Sequence, residues 1–503
     1  MKPVLLTFLL FVLASTHLPP LMAQGSPTTI EHEAVNDVVA EHETVENQPA
    51  KPDDDPVEEY SEAIRNIELA SGAYDQQLQE PLNALAGALS ERGEHAEAVS
   101  VYSRLLHVSR VNNGFYEEDQ LRIVDRIIAN NAAQRDWRAL NDNHDYLYWL
   151  YKRVYQNDRV KLAEGLNKVH DWKLGMLGII DQSGTARQLL ELEQIADELV
   201  AATEQAPGGD HATAAHVLYR RALIHYLYAV AIDESGNTAR RLAEHELRYL
   251  RTGAVMDIAE QAPLFSNVDT KPLILSHLRK GKSAIEQIVA SAAADTEPAN
   301  AKEAEAMARL YLADWELLMD RRDAALNGYR EAYALLLEAG IATEQVDAFF
   351  SRPVVIPADR YRGEFPVEEL PRPVAMDTDE SGVSHLRVDD YLAWTATLPG
   401  LAFPRNIQPA YLAPEMNHHV ELEFDITLRG KAFKTKDPHL LSVRAANGNT
   451  SQVVIVEDAA IGEGRKHQAL EEVRLLVFRP RLEGGKPVAT ERVRMKYFFS
   501  AGR

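Results

Sequence analysis

The sequence predicts a multidomain, mainly α protein closed by a small α+β domain with an antiparallel sheet and one helix. Three observations carry this reading. Helical periodicity dominates from about Val57 to Gly340, nine prolines crowd residues 351–415, and from His419 the apolar residues switch to strict alternation. A chain of 503 residues with 46% hydrophobic content has material for two or three domains and a sizeable core.

The N-terminus holds Lys2, an apolar run from Val4 to Ala14, Pro19-Pro20 and the small Ala23 before Gln24. This is the layout of a secretory signal peptide over residues 1–23, which places the mature protein in the periplasm. The other reading is an uncleaved anchor, but a membrane-spanning helix needs roughly twenty apolar residues and this run is much shorter. No later stretch is long and apolar enough to span a bilayer, so membrane contact is expected only through a partner or an uncleaved N-terminus. The chain has no cysteine, which excludes disulfides, thiol catalysis and thiolate metal sites. Its net charge of −23 argues against nucleic acid, which needs an extended basic surface.

Residues 24–57 are acidic and poor in large apolar side chains, with Pro49, Pro52, Pro56 and the run Asp53-Asp54-Asp55. Such a leader cannot bury enough surface to offset its ordering entropy and is expected to be disordered. Its Glu31-His32-Glu33 and Glu41-His42-Glu43 pair lacks the preorganisation a metal site needs, so no metal or other cofactor is expected.

Residues 58–345 read as a helical-repeat domain. Leu82, Leu85, Ala86 and Leu89 share one helical face, and after the break at Glu91-Arg92-Gly93 the spacing returns in Ala98, Val101, Tyr102 and Leu105. This hairpin, with small Ala86, the turn Gly93, Ala98 and aromatic Tyr102, resembles a tetratricopeptide repeat. A partial second copy holds Leu312-Ala313, the turn Asp320-Arg321-Arg322-Asp323, Ala325, Tyr329 and Ala332, with Glu316 where an apolar residue is usual. Arg135-Asp136-Trp137 looks like a degenerate turn between them. Such worn units imply an irregular helical solenoid. Within it, Tyr148, Tyr151 and Tyr155 share a face next to Lys152 and Arg153, which suits capture of a peptide or glycan and equally suits packing between helices.

Residues 346–415 form a proline-rich arm, with Pro353, Pro357, Pro366, Pro371 and Pro373 forbidding continuous helix. Tyr391, Trp394 and Phe403 give it side chains to bury, so it is expected to pack along the solenoid. Residues 416–503 make the α+β unit. Val420, Leu422, Phe424, Ile426 and Leu428 alternate with polar residues up to the turn at Gly430, and Lys431–Lys436 return as a hairpin partner. Asn447-Gly448 marks a turn, Val453–Val456 a short strand, Gln468–Val477 a helix, and Val493–Tyr497 the last strand.

The first hairpin, the exit Phe478-Arg479-Pro480, the turn Gly484-Gly485 with Lys486-Pro487-Val488, and the final strand together resemble the C-terminal domain of the TonB family over roughly residues 409–499. The resemblance implies a fold and a way of binding. The last strand would lie at a sheet edge and accept an extended segment of an envelope or outer-membrane protein by strand addition, with Arg492, Arg494 and Lys496 outward. The same cations would also suit an edge protected against unwanted pairing, and Glu421, Glu423 and Asp425 would face them if the two strands are antiparallel neighbours.

No catalytic pattern is present. Tyr249 stands where a zinc-protease helix beginning at His245-Glu246 needs histidine, Asp142-Asn143-His144-Asp145 lacks the glycine of a calcium loop, and no phosphate loop or G-x-S-x-G occurs. The expectation is an exported, non-enzymatic adaptor of the bacterial cell envelope. A membrane-anchored TonB-type energy transducer and a cell-wall hydrolase are the alternatives.

Overall fold

The computed structural model describes residues 55–177, 185–205, 211–234, 270–294, 301–366, 377–378, 384–388, 391–395, 398–402, 419–427, 454–457 and 463–498. The signal segment, the acidic leader up to residue 54, the hairpin return at Lys431–Lys436, the Asn447-Gly448 turn and the lead-in 409–414 lie outside these residues. The chain is mainly helical, with small sheets towards the C-terminus.

Among the described residues twelve α-helices precede the first strand: α1 (Pro56–Ser71), α2 (Gln79–Glu91), α3 (His95–Asn113), α4 (Glu118–Ala133), α5 (Trp137–Val154), α6 (Arg159–Gly175), α7 (Thr185–Glu204), α8 (His211–Glu234), α9 (Lys271–Ala294), α10 (Ala301–Leu318), α11 (Arg322–Glu338) and α12 (Thr343–Phe349). Each packs on the next. Polar bonds also join helices two apart: Arg104 of α3 pairs with Glu68 of α1, Ser90 of α2 bonds Asn130 of α4 at 2.5 Å, Lys161 of α6 pairs with Glu118 of α4 at 2.9 Å, and Lys152 of α5 with Glu198 of α7 at 2.8 Å.

The hairpin read from Leu82 to Leu105 is α2 and α3, with Leu82, Leu85, Ala86, Leu89, Ala98, Tyr102 and Leu105 all buried. Its turn closes like a Schellman motif: Gly93 has φ +78°, its N–H donates to Ser90 O, and the next N–H, of Glu94, donates to Leu89 O at 2.9 Å. The same pair of bonds recurs at Arg135 (φ +57°), where Asp136 N–H reaches Asn131 O, and at Asp320 (φ +58°), where Arg321 N–H reaches Glu316 O. At the Asp320 turn Glu316 occupies a buried position because Lys282 Nζ, 3.2 Å away, and Arg321, 3.6 Å away, balance its charge.

The C-terminal elements are β1 (Val354–Ile356), β2 (Asp377–Thr378), β3 (Ser384–Arg387), β4 (Tyr391–Thr395), β5 (Leu398–Ala402), β6 (His419–Ile426), β7 (Val454–Glu457), α13 (Glu463–Leu475), β8 (Val477–Arg479), β9 (Arg481–Glu483), β10 (Lys486–Val488) and β11 (Thr490–Phe498). The largest sheet is built around β11, which pairs antiparallel with β6 on one flank and parallel with β3 and β4 on the other. Ala469, Leu470 and Val473 of α13 join Val420, Leu422, Phe424, Val493, Met495 and Tyr497 in its core.

One boundary therefore moves. The sheet recruits the short strands β2 to β5, so the α+β unit begins well before 416. Prolines suggested an arm, but none falls between Pro373 and Pro399, and the alternation His385-Leu386-Arg387-Val388 in that gap is a strand signal. The proximal arm does pack along the helices: Tyr219 Oη donates to Ala358 O at 2.7 Å, Tyr311 Oη to Arg360 O at 3.1 Å, and Tyr361 and Phe365 are buried.

The C-terminal unit is joined to the last helices by its own strands. β8 pairs with β1, Leu482 N–H donates to Phe350 O at 2.9 Å, and Gly485 lies so close to the Tyr333 ring that a side chain there would meet it at 3.1 Å. Arg479, from the exit Phe478-Arg479-Pro480, is the centre of this joint. Its Nε and Nη2 bind both carboxylate oxygens of Asp314 in α10 at 2.9 and 2.5 Å, and Tyr329 Oη donates to the same carboxylate at 2.9 Å. Asp314 and Arg479 are 2% and 6% exposed, so the forked pairing replaces the water that both charges lose.

Candidate binding surfaces

Arg492, Arg494 and Lys496 do not stand on a free edge. The alternation was read in the right phase, since Val493, Met495 and Tyr497 are buried. Both flanks of β11 are nevertheless occupied: Arg494 stands opposite Glu423 on one side and Arg387 on the other, and Tyr497 opposite Val420 and Tyr391. The backbone groups that strand addition would need are engaged over these positions. The cations act inside the sheet instead. Arg494 Nε meets Glu423 Oε2 at 3.2 Å, and Lys496 lies in register with Glu421. Arg492 adopts φ +55° where the β11–β6 register slips, and Asp425 Oδ1 accepts its N–H at 2.9 Å.

Tyr148, Tyr151 and Tyr155 lie along α5 as foreseen, and each locks α5 to a different helix. Tyr148 Oη donates to Glu198 Oε1 of α7 at 2.8 Å, beside Lys152 Nζ on the same carboxylate. Tyr151 is buried against Gly165 of α6, where an added Cβ would lie 2.5 Å from the ring. Tyr155 stacks on Tyr151 at 6.0 Å and donates to Glu118 Oε1 of α4 at 2.9 Å. Burial, then the Glu118 carboxylate, pushes the Tyr155 phenol up to about 12, and the bonds from Lys161 and Tyr155 hold Glu118 below the usual carboxylate range. These rings are interhelical joints.

The neighbouring face of α5 carries a different cluster, which the sequence reading missed by one helical phase. Tyr146, Trp149 and Arg153 fall at i, i+3 and i+7 and point away from the tyrosine face. The α3–α4 connection brings Phe115 and Tyr116 beside them. Tyr146 and Trp149 stack at 5.9 Å, Tyr116 tilts onto Trp149 at 5.3 Å, and Phe115 lies 6.4 Å from Tyr116. Phe115, Tyr116 and Trp149 are 65%, 49% and 40% exposed, so this is apolar surface turned to solvent. Arg110 sits over the Tyr146 ring at 4.9 Å, and Arg153 lies 6.0 Å from Tyr116 and 5.9 Å from Trp149. Among the described residues neither guanidinium has a carboxylate within 4.0 Å. The signal that would have found the cluster is the exposed pair Phe115-Tyr116 in a loop, where aromatics have no helix neighbour to fill.

No group of three metal-binding side chains stands together among the described residues, and no helix there is long and apolar enough to cross a membrane. Comparison with the models of known protein families gives no match to this chain, and comparison with curated protein sequences gives none.

Proposed function

We propose that the chain is an exported, non-enzymatic scaffold of the bacterial cell envelope, in which a solenoid of worn tetratricopeptide-like repeats holds a protein partner on the surface formed by Tyr146, Trp149, Phe115 and Tyr116. The observation that carries it is the exposure of that ring cluster: three large aromatics held in fixed mutual geometry at the surface are the composition of an interface anchor. The recurring turn at Gly93, Arg135 and Asp320, and the bonds between helices two apart, support the repeat reading. The TonB-like C-terminal unit serves here as the closing cap of the stack. Strand addition at β11 is not part of the proposal, because that strand is already paired on both flanks.

The test is site-specific photo-crosslinking in the native cell envelope, with a benzophenone amino acid in place of Tyr116 and, as reference, in place of the exposed Leu475 of α13. A discrete protein adduct from position 116 and none from 475 is expected. Equal or absent adducts at the two positions would remove the docking role.

A further inference from the structure

Charge narrows what the surface can hold. The chain carries −23 overall, yet neither of the two guanidiniums bracketing the Tyr146–Trp149 ring pair has a carboxylate within 4.0 Å among the described residues. Several other cations of this helical stack are matched across helices, as with Lys152 and Glu198, Lys161 and Glu118, and Lys168 and Asp125. A guanidinium lying over a ring is held in position by it while the N–H fork along its edge stays directed outward, the arrangement that receives a carboxylate through two bonds.

The ring faces argue the same way. Tyr146 offers one face to Arg110, and Trp149 is approached by Tyr146, Tyr116 and Arg153. A sugar needs an open ring face on which to stack, whereas a peptide side chain can pack against ring edges and against Phe115, which is the most exposed of the rings.

We infer that this surface takes an acidic peptide segment of the partner protein, with carboxylates on Arg110 and Arg153 and an aromatic or aliphatic side chain between them against Trp149, Tyr116 and Phe115. The inference rests on the reading of the surface as a docking site. Its partner is an extended or helical stretch rich in aspartate and glutamate and interrupted by large apolar residues. Binding is sensitive to salt, because the guanidiniums are near solvent and screened by it.

The test uses the whole mature protein as bait for displayed randomised short peptides, with the variant Arg110→Glu/Arg153→Glu as counter-bait and chitin and peptidoglycan oligosaccharides as separate ligands. Arg153 is exposed and Arg110 half-buried, and circular dichroism checks that the variant keeps its helical signal. Enriched peptides are expected to be acidic with at least one aromatic or large aliphatic residue, to lose about ten-fold or more in affinity for the variant, and to weaken as salt rises. Neutral or basic consensus sequences, equal binding to the variant, binding of the oligosaccharides alone, or no enrichment would each overturn it. The crosslink at position 116 separates the two levels: an adduct without acidic preference leaves the docking site and removes the partner chemistry, while no adduct removes both.

Discussion

At the scale of single residues, the joint between Arg479 and Asp314 was the least legible part of the molecule. Phe478-Arg479-Pro480 was readable as a helix exit, but the carboxylate that Arg479 meets lies 165 positions earlier, and no local pattern connects the two. Truncating either partner strands a buried charge. Asp314→Ala or Arg479→Ala is therefore expected to cost about 3–5 kcal/mol in denaturant titrations, whereas Asp314→Leu with Arg479→Met should cost clearly less than either single change. Equal losses in all three would show that packing, and not charge pairing, dominates there. His144 gives a pH prediction. Its ring stacks on Trp172 at 4.2 Å and its Nδ1 lies 2.8 Å from Leu140 O. Burial, joined by the positive charges of Lys168 and Lys173, drives its pKa down to about 4, while the Leu140 bond opposes this. The folded state thus binds the proton less readily than the unfolded chain, whose histidine titrates near 6.5. The resulting stability is complete above that value and disappears as pH falls towards 4, a change of about 3 kcal/mol. His170, buried on α6, shifts in the same direction. In His144→Phe the melting temperature should fall less steeply than in the parent between about pH 7 and about pH 4.5. Parallel curves would show that His144 does not carry the effect.

At the scale of elements, helices were legible and sheet membership was not. Leu82, Ala86, Ala98 and Tyr102 announce the α2–α3 hairpin because a helix must bury one stripe and small residues allow close approach. The repeated turn is visible as glycine at Gly93 and again at Gly340. Arg135 and Asp320 take the same left-handed backbone without glycine's freedom, so their turns look like ordinary polar loops in sequence. A reciprocal pair of substitutions follows. Arg135→Gly, at an exposed position, should stabilise the protein by up to about 1 kcal/mol, and Gly93→Ala should destabilise it by about the same. At Gly93 an added Cβ meets nothing within 4 Å, so the loss would be conformational. Thermal unfolding of both variants checks this, and a stabilising Gly93→Ala would contradict the turn geometry. The candidate surface depended on phase: Tyr148, Tyr151 and Tyr155 and the row Tyr146, Trp149 and Arg153 are both helical stripes on α5, and only the placement of α4, α6 and α7 decides which is covered. Likewise the free edge expected at β11 vanished because β3 and β4 come from residues that the proline count had assigned to an arm.

At the scale of the whole molecule, the C-terminal unit is a load on the stability of the helices and not an appendage to them. Val477, Leu482 and Phe498 belong to the same buried cluster as Tyr219, Tyr311, Trp315, Tyr329 and Tyr333. The cluster formed by α1 to α7 with Val217 of α8 contains none of these C-terminal residues. Removing residues 416–503 takes away Arg479, the β8 partner of β1 and the cover over Tyr333, and leaves Asp314 buried with only Tyr329 bonded to it. From sequence alone such a truncation should leave the helices intact. The contacts lead to a different outcome, in which the stack loses stability from its C-terminal end. Melting followed by far-ultraviolet circular dichroism should show two steps in the truncated protein, an early one for α8–α12 and a later one for α1–α7, where the intact protein keeps the two halves closer together. Fluorescence of Trp315, isolated by replacing Trp137, Trp149, Trp172 and Trp394 with phenylalanine and retained in both proteins, assigns the early step, because this indole is buried in the C-terminal core with its Nε1 bonded to Leu278 O at 2.7 Å. A truncated protein whose Trp315 signal melts at the parent temperature would mean that the unit merely rests on the helices, and that the Arg479–Asp314 joint contributes nothing to holding the stack.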